Sequence, residues 1–307
     1  MSLVLPPRFE DESSCGFIQR TLVCNYLSWN WLCSQIGLTY GVFPNALHLS
    51  GLTRWFGDTI NKDDLLHVVG GRGVRTRYQI YGHEFLDRSQ IGISVPKICP
   101  ECLLVYGYKR KFWDIDFVSV CPEHRTRLVK ECVKCQAPIS WYSLEPSICR
   151  CGYIFENATH VCTEEEISWA LWLKKMFERD LNFDGSEVLT NLRSHRLGVS
   201  IRLIRILGMN ANVAGKAGKS VMSHLPVGVC ASIITEGVKK FVSITSEHSS
   251  NGFDSFTHWQ ELAAERLLES TASFDEVTFL EAVFAGAFSD VKGIQRSGSK
   301  QLTLRFD

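Results

Sequence analysis

The chain has no surplus of charge of either sign: 33 Lys+Arg balance 33 Asp+Glu over 307 residues, a formal net charge of +0. No global field therefore drives it onto nucleic acid or anionic lipid, and any such contact has to come from a local basic patch or a partner. Charge is missing altogether between Arg20 and Arg54, a stretch longer than the roughly 20 apolar residues that cross a bilayer. Asn25, Ser28, Asn30, Ser34, Gln35, Gly37, Pro44, Asn45 and His48 interrupt it and exclude a span. The N-terminus also lacks a basic region followed by an apolar run and a small-residue cleavage site, so the expected location is the cytoplasm. There is no HExxH, no GxSxG and no Ser/His/Asp order with supporting context. Internal repeats and low-complexity tracts are absent too.

What the chain does have is cysteine. Twelve are many for a cytosolic protein, where clustered thiol pairs more often mean metal than disulfide. The length suits two or three folding units, and the 45% hydrophobic and 21% charged fractions are those of an ordinary soluble protein. The pattern divides into three units, 1–95, 96–161 and 162–307. In the first, Leu22, Tyr26, Trp29, Cys33 and Ile36 recur at three- and four-residue steps and predict one helix stopped by Gly37. A second, short helix is expected over Asp63–Gly70, and 71–77 reads as a flexible basic loop. The middle unit carries paired cysteines, prolines and short β-type runs at 117–120 and 139–142, the marks of a fold too poor in core to stand without metal. The last is helical by pattern, with a capping box at Thr163–Glu166 and further helices expected near 200–208, 227–244, 257–270 and 274–288. The fold class is thus mainly α with a small, zinc-stabilised, β-containing module.

Cys99-Pro-Glu-Cys102 and Cys121-Pro-Glu-His124 form a CxxC and CxxH set; Cys132-Val-Lys-Cys135 and Cys149-Arg-Cys151 form a second. A CxxC turn presents two sulfurs on one face of a tight knuckle, where they bind a tetrahedral zinc at about 2.3 Å, and a second knuckle completes the shell. Seven thiols and one imidazole suffice for two closed structural sites, which leave no open position for water or substrate and so point to a binding protein rather than a catalyst. Spacing leaves open whether the pairs are consecutive or cross-braced. Cys15, Cys24 and Cys33 lie nine residues apart, on alternating faces of a helix, and cannot share a metal there. Cys162 and Cys230 read as buried, inert thiols.

Three basic groups are candidates for phosphate contact, and two of them have aromatics beside them that suit stacking: Arg72, Arg75 and Arg77 beside Tyr78 and Tyr81; Lys109-Arg110-Lys111 beside Tyr108, Phe112 and Trp113; and, without such neighbours, Arg193, Arg196, Arg202 and Arg205. A solvated charged surface over an aromatic core explains each group equally well. Gly215–Ser220 ends like a phosphate-binding loop but has Val213 where the motif needs glycine, and Asn157-Ala-Thr159 is a glycosylation triplet without meaning in the cytosol. The uncharged stretch 21–53 carries Trp29, Trp31, Tyr40 and Phe43, a surplus of aromatics expected to form a partner-docking patch.

Set together, Asp11, Glu12, Ser13, Phe17 and Arg20, followed by Cys99-Pro100-Glu101-Cys102-Leu103, Trp113, Cys121-Pro122-Glu123-His124, Leu128, Cys132 and Cys135, resemble the TniQ family, target-selection proteins of Tn-type DNA transposons that include TnsD. The match covers roughly the first half of the chain. It departs at Ser14 and Gly16, where family members often have Leu and Ser. The resemblance implies an N-terminal helix-turn-helix-like domain, a tandem zinc module and a C-terminal helical domain. It further implies a non-catalytic adaptor that rides on an RNA-guided CRISPR Cascade complex with its guide RNA and recruits the AAA+ regulator TnsC and the transposase, as a head-to-tail homodimer. The chain is shorter than the longer TnsD-like members, which favours this role. Direct, sequence-specific binding of target DNA of the TnsD kind is the alternative. Charge neutrality fits the adaptor, since guide pairing supplies the specificity.

Overall fold

The computed structural model describes residues 2–39, 42–70, 76–141, 143, 146–156, 161–178, 187–209, 225–246, 258–271, 273–287, 294–296 and 302–304. Ser13 caps α1 (Ser14–Cys24) by accepting from the Gly16 N–H. The single helix expected across 22–36 is broken in two. Asn25 turns its side chain back onto the Thr21 carbonyl, Tyr26 takes a left-handed φ of 55°, and Ser28 caps a new helix, α2 (Trp29–Ile36), through the Trp31 N–H. Polar side chains placed to bond local backbone compete with helix continuation, and here they win over the apolar period. Gly37 ends α2 at φ 69°, as expected. After α3 (Leu49–Phe56) the chain forms a three-stranded antiparallel sheet of β1 (His67–Val69), β2 (Arg77–Ile80) and β3 (His83–Phe85), in that order.

That sheet overturns the helix expected at Asp63–Gly70. Only Lys62–Asp64 turns, as a 3-10 segment capped by Asn61. Val68 and Val69 then pair with Tyr78 and Arg77, where β-branched side chains are more at ease than in a helix. The loop positions 71–75, with Arg72 and Arg75, lie outside the described residues, as do Tyr40, Asn157–Thr159 and Gly215–Ser220.

The middle segment is short pieces: α4 (Pro100–Tyr106), and the paired strands β4 (Val120–Cys121) and β5 (Thr126–Arg127). The helices then follow the sequence pattern closely. Thr163 and Glu166 make the reciprocal capping box at the start of α5 (Glu164–Glu178). Next come α6 (Glu187–Thr190), α7 (Leu197–Gly208), α8 (Val227–Thr245), α9 (His258–Ser270) and α10 (Phe274–Ala287). A small antiparallel pair, β6 (Ile294–Arg296) with β7 (Leu302–Leu304), was not legible in the pattern.

One continuous apolar core runs from Cys15 in α1 to Phe284 in α10 and takes side chains from all three segments. A second, much smaller core of Ile98, Leu103, Cys132, Ile139, Cys149 and Phe155 sits in the cysteine-rich segment. Among the described residues no helix is long and apolar enough to cross a membrane. Of the aromatics in 21–53, Trp29 goes inward: it is 2% exposed and packs against Phe43 and Trp141, while Trp31, half-buried, lies edge-on to Trp55. The docking patch expected there is therefore not available at Trp29, whose burial is the more favourable use of a large ring.

Helices α7 and α8 touch backbone to backbone. A Cβ added at Gly208 would stand 1.9 Å from the Ile233 carbonyl oxygen, and one at Gly237 would stand 2.1 Å from that of Ile204. No rotamer change relieves a clash with backbone, so we expect Gly237→Ala to destabilise the protein by about 3 kcal/mol or more. Gly228→Ala, which would meet only the Arg127 Nη1 at 3.8 Å, should be neutral or stabilising by up to about 1 kcal/mol. Thermal denaturation of the two variants side by side checks the contrast.

Candidate metal centres

The first set of ligands is assembled by a helix start and a hairpin. Cys99 is the N-cap of α4 with Pro100 in the first turn, so Cys102 falls one turn on, facing the same side. Cys121 ends β4, and the turn into β5 carries His124, with Arg125 held at φ 52°. His124 directs Nδ1 to the thiols, at 3.4 Å from Cys99 Sγ, 3.3 Å from Cys102 Sγ and 3.6 Å from Cys121 Sγ; the Cys102 and Cys121 sulfurs are 3.5 Å apart. A tetrahedral shell with metal–sulfur bonds of about 2.3 Å has sulfur–sulfur edges of about 3.8 Å, so these atoms outline its corners. They are far too separated for a disulfide, whose sulfurs lie about 2.05 Å apart. The other ring nitrogen of His124 stands 3.5 Å from Glu101 Oε2, the carboxylate partner that fixes the tautomer of a ligating imidazole.

All three thiols are buried. Hydrogen bonds with Cys102 and Cys121 draw the Cys99 thiol well below its ordinary value, and those with Cys121 and Cys99 push Cys102 far above its own. Neighbouring sulfurs cannot all become anionic in this space without a cation between them, which is what a metal supplies.

The second set is built from two knuckles. Gln136 N–H bonds back to the Cys132 carbonyl at 2.7 Å with Gln136 at φ 57°, and Gly152 N–H bonds to the Cys149 carbonyl at 2.8 Å with Gly152 at φ 82°. The left-handed residue after each pair is what folds the sulfurs together. Cys132 and Cys151 Sγ are 3.7 Å apart, and Cys135 and Cys149 Sγ 3.5 Å. In each set of four the donor atoms all lie within 4.8 Å of one another. The pairing left open by spacing is thus consecutive, not cross-braced: Cys99, Cys102, Cys121 and His124 in one group, Cys132, Cys135, Cys149 and Cys151 in the other. The groups differ in exposure. In the second, Cys135 and Cys151 face solvent. The remaining thiols join neither group: Cys15, Cys33 and Cys230 are buried, Cys162 is half-buried and Cys24 is exposed.

A protein-family model described as TniQ matches residues 4–128. Residues 4–128 belong to the TniQ family. No curated protein matches the chain. The TniQ match runs from before α1 through β5 and takes in the whole first centre. It stops at Leu128, short of Cys132 and Cys135, which the sequence resemblance had included. The TniQ family is one of target-selection proteins of DNA transposition.

Within the TniQ domain the N-terminal motif is a set of buried tethers. Glu12, fully buried, pairs with Arg20 through both carboxylate oxygens at 2.8 and 2.7 Å. Phe17 is fully buried. Asp11 accepts from Tyr108 Oη at 2.7 Å and pairs with Arg110. Ser13 Oγ donates to Asp114 Oδ2 at 2.6 Å, and Tyr81 Oη donates to the same oxygen at 2.6 Å. Asp11 and Ser13 thus tie the start of α1 to the excursion between the knuckles of the first centre.

Most of the described cations proposed for phosphate contact are also drawn inward or paired. Arg110 bridges Asp11 and Glu123, Arg77 pairs with Glu84, Arg196 with Glu84 and Glu276, and Arg202 with Asp87, while Lys109 and Arg205 are buried. Their aromatic neighbours Tyr81, Tyr108, Phe112 and Trp113 are core residues, so they are not free to stack on bases. Sequence reasoning missed Lys97, whose buried Nζ donates to the carbonyls of Ile115, Asp116 and Val118 at 2.5, 2.9 and 3.0 Å. Nothing in its neighbours in sequence marks it.

Lys109 and Asp114 share this buried region, and burial pushes them in opposite senses, Lys109 down to about 7 from 10.5 and Asp114 up to about 6 from 3.8. Between about pH 7 and 10.5 the unfolded chain keeps a proton on Lys109 that the folded chain has released. The penalty of burying this amine follows from that difference: below about pH 7 the folded state holds a desolvated charge, and above it the unfolded state holds a proton the folded state has given up. The penalty is therefore present in full below about pH 7 and fades as pH rises from there towards the ordinary lysine value. We expect Lys109→Met to be more stable than the wild type by on the order of 2 kcal/mol at pH 6.5, with the difference shrinking by about pH 9.5. Urea denaturation at both pH values measures it; a difference that does not change with pH would show that Lys109 stays charged.

Proposed function

We propose that this protein is a target-selection adaptor held together by two structural zinc ions, and that it docks on an RNA-guided CRISPR Cascade complex and passes the target to the AAA+ regulator TnsC and the transposase. One donor set offers three sulfurs and a nitrogen and the other four sulfurs, chemistry that suits zinc over harder ions; with four protein ligands each is closed to water and substrate. The metal then supplies folding free energy, and the chain's part is to present a shaped surface.

The observation that carries the adaptor reading is where the cations go. The arginines and lysines that would make a phosphate-binding face are, among the described residues, largely engaged by the protein's own carboxylates or buried. A protein that reads an attachment site by itself has to neutralise several phosphates, and its affinity depends on that number. An adaptor whose target is read by guide pairing does not. The head-to-tail homodimer belongs to the same reading.

Purified protein should carry about two zinc ions per chain by elemental analysis, and as bait it should capture Cascade with guide RNA in stoichiometric amount before any target DNA is added. Footprinting of the isolated protein on duplex DNA at physiological salt should give no sequence-defined protection. A defined footprint, with no Cascade captured by zinc-loaded protein, would move the function to direct recognition of an attachment site.

A further inference from the structure

The loop between the two knuckles of the second centre does not stay with its own small core. Midway along it, Trp141 crosses into the TniQ domain and is 2% exposed there. Its indole N–H donates to the Ile93 carbonyl at 2.7 Å, and its ring stacks beside Trp29 with centroids 6.2 Å apart and meets Phe43 at 6.5 Å. Gln19, on α1, donates to the carbonyls of Trp141 and Ser143 at 3.2 and 2.7 Å. On the ring lies Lys109 Nζ, 3.9 Å from its centroid, buried and with no hydrogen-bond partner. The indole is thus the lid over an amine that no hydrogen bond satisfies.

The residues that hold this loop in place are meagre. The small core contains two of the second centre's own cysteines and only a handful of other apolar side chains, too few to keep a fold without metal. The two centres also differ in access. In the first, every thiol is buried; in the second, Cys135 and Cys151 face solvent, so a competing ligand reaches the metal by local opening rather than by unfolding.

We propose that the second centre is a releasable clasp: its metal holds Trp141 seated in the TniQ domain over Lys109, and losing that metal, while the first centre stays loaded, unseats Trp141 and uncovers Lys109. This rests on the metal reading above. It deepens that reading by giving the two centres different work, the first fixing the TniQ domain and the second controlling whether an aromatic-and-amine pocket on that domain is covered. The metal–sulfur bonds break, the competing chelator takes the metal, and the freed thiolates take up protons from solvent.

The test starts from full-length protein as purified, with its metal content measured. Adding the chelator 4-(2-pyridylazo)resorcinol should release one equivalent at least tenfold faster than the second. Over the fast phase, acylation of Lys109 by an N-hydroxysuccinimide ester, read by peptide mass spectrometry, should rise at least tenfold, and amide hydrogen exchange should rise at α1 and 139–141 but not at 99–106. Cys151→Ser should carry one equivalent and show Lys109 already reactive. Should that variant fail to fold, the wild-type chelation series decides alone. Both equivalents leaving together, or a fast equivalent leaving with Lys109 still protected, would overturn the clasp while leaving two bound metals in place. Protein without metal as purified would instead overturn the metal reading, and the clasp with it.

Discussion

Four donors within 4.8 Å of one another, three of them buried thiols, are an arrangement that a chain on its own cannot keep. Each thiolate formed raises the cost of the next, and in the buried first centre little solvent shares the field. A divalent cation turns that repulsion into the largest local attraction in the segment. Such a cation would position everything between Cys102 and Cys121: the Lys109–Lys111 stretch, the 3-10 turn at Lys111–Asp114 and the carbonyls that cage Lys97. The buried tethers at the start of α1 reach for residues of that excursion. The TniQ domain is thus organised around a loop whose ends the four donors of the first centre bring together.

Zero net charge takes on a particular meaning in this arrangement. It does not arise from a sparsely charged protein but from opposite charges brought face to face inside it, Glu12 with Arg20, Arg110 with Asp11 and Glu123, Arg196 with Glu84 and Glu276. Buried pairs of this kind add little stability for their number, because desolvation takes back much of the Coulomb gain. What they fix is register: a charge left without its partner is costly, so α1, the excursion and the C-terminal helices have one relative placement.

The sequence was most legible where the physics is local. The donors of both centres stood out because knuckle spacing is a short-range property, and the helices from Glu164 onward because capping and the apolar period act within a few residues. It misled where a local signal competed with a stronger one. Asn25 and Ser28 cut a helix that periodicity had drawn as continuous, and Val68 and Val69 found a strand partner that helix patterning at 63–70 does not see. Lys109-Arg110-Lys111 read as an outward basic patch because a run of three cations rarely goes inside; only the fold reveals that Asp11, Glu123 and the Trp141 ring await them. Trp141 itself was visible only as part of a β-type run, its destination being set by contacts far away in the chain.

That distance carries a consequence for how the protein is made. The partners that α1 needs lie far downstream, Tyr108 at 97 residues from Asp11 and Asp114 at 101 from Ser13. Translation at about 5–20 residues per second delivers them roughly 5–20 s after the motif itself has been synthesised. During that interval a nascent chain presents Phe17, Ile18 and Leu22 with nowhere to bury them, beside charges with nothing to pair. The amino end of this protein is synthesised first but cannot settle until the excursion that ends beyond Asp114 has followed it, so its successful production depends on whatever keeps a half-made chain from sticking to its neighbours until the first cysteine knuckles emerge.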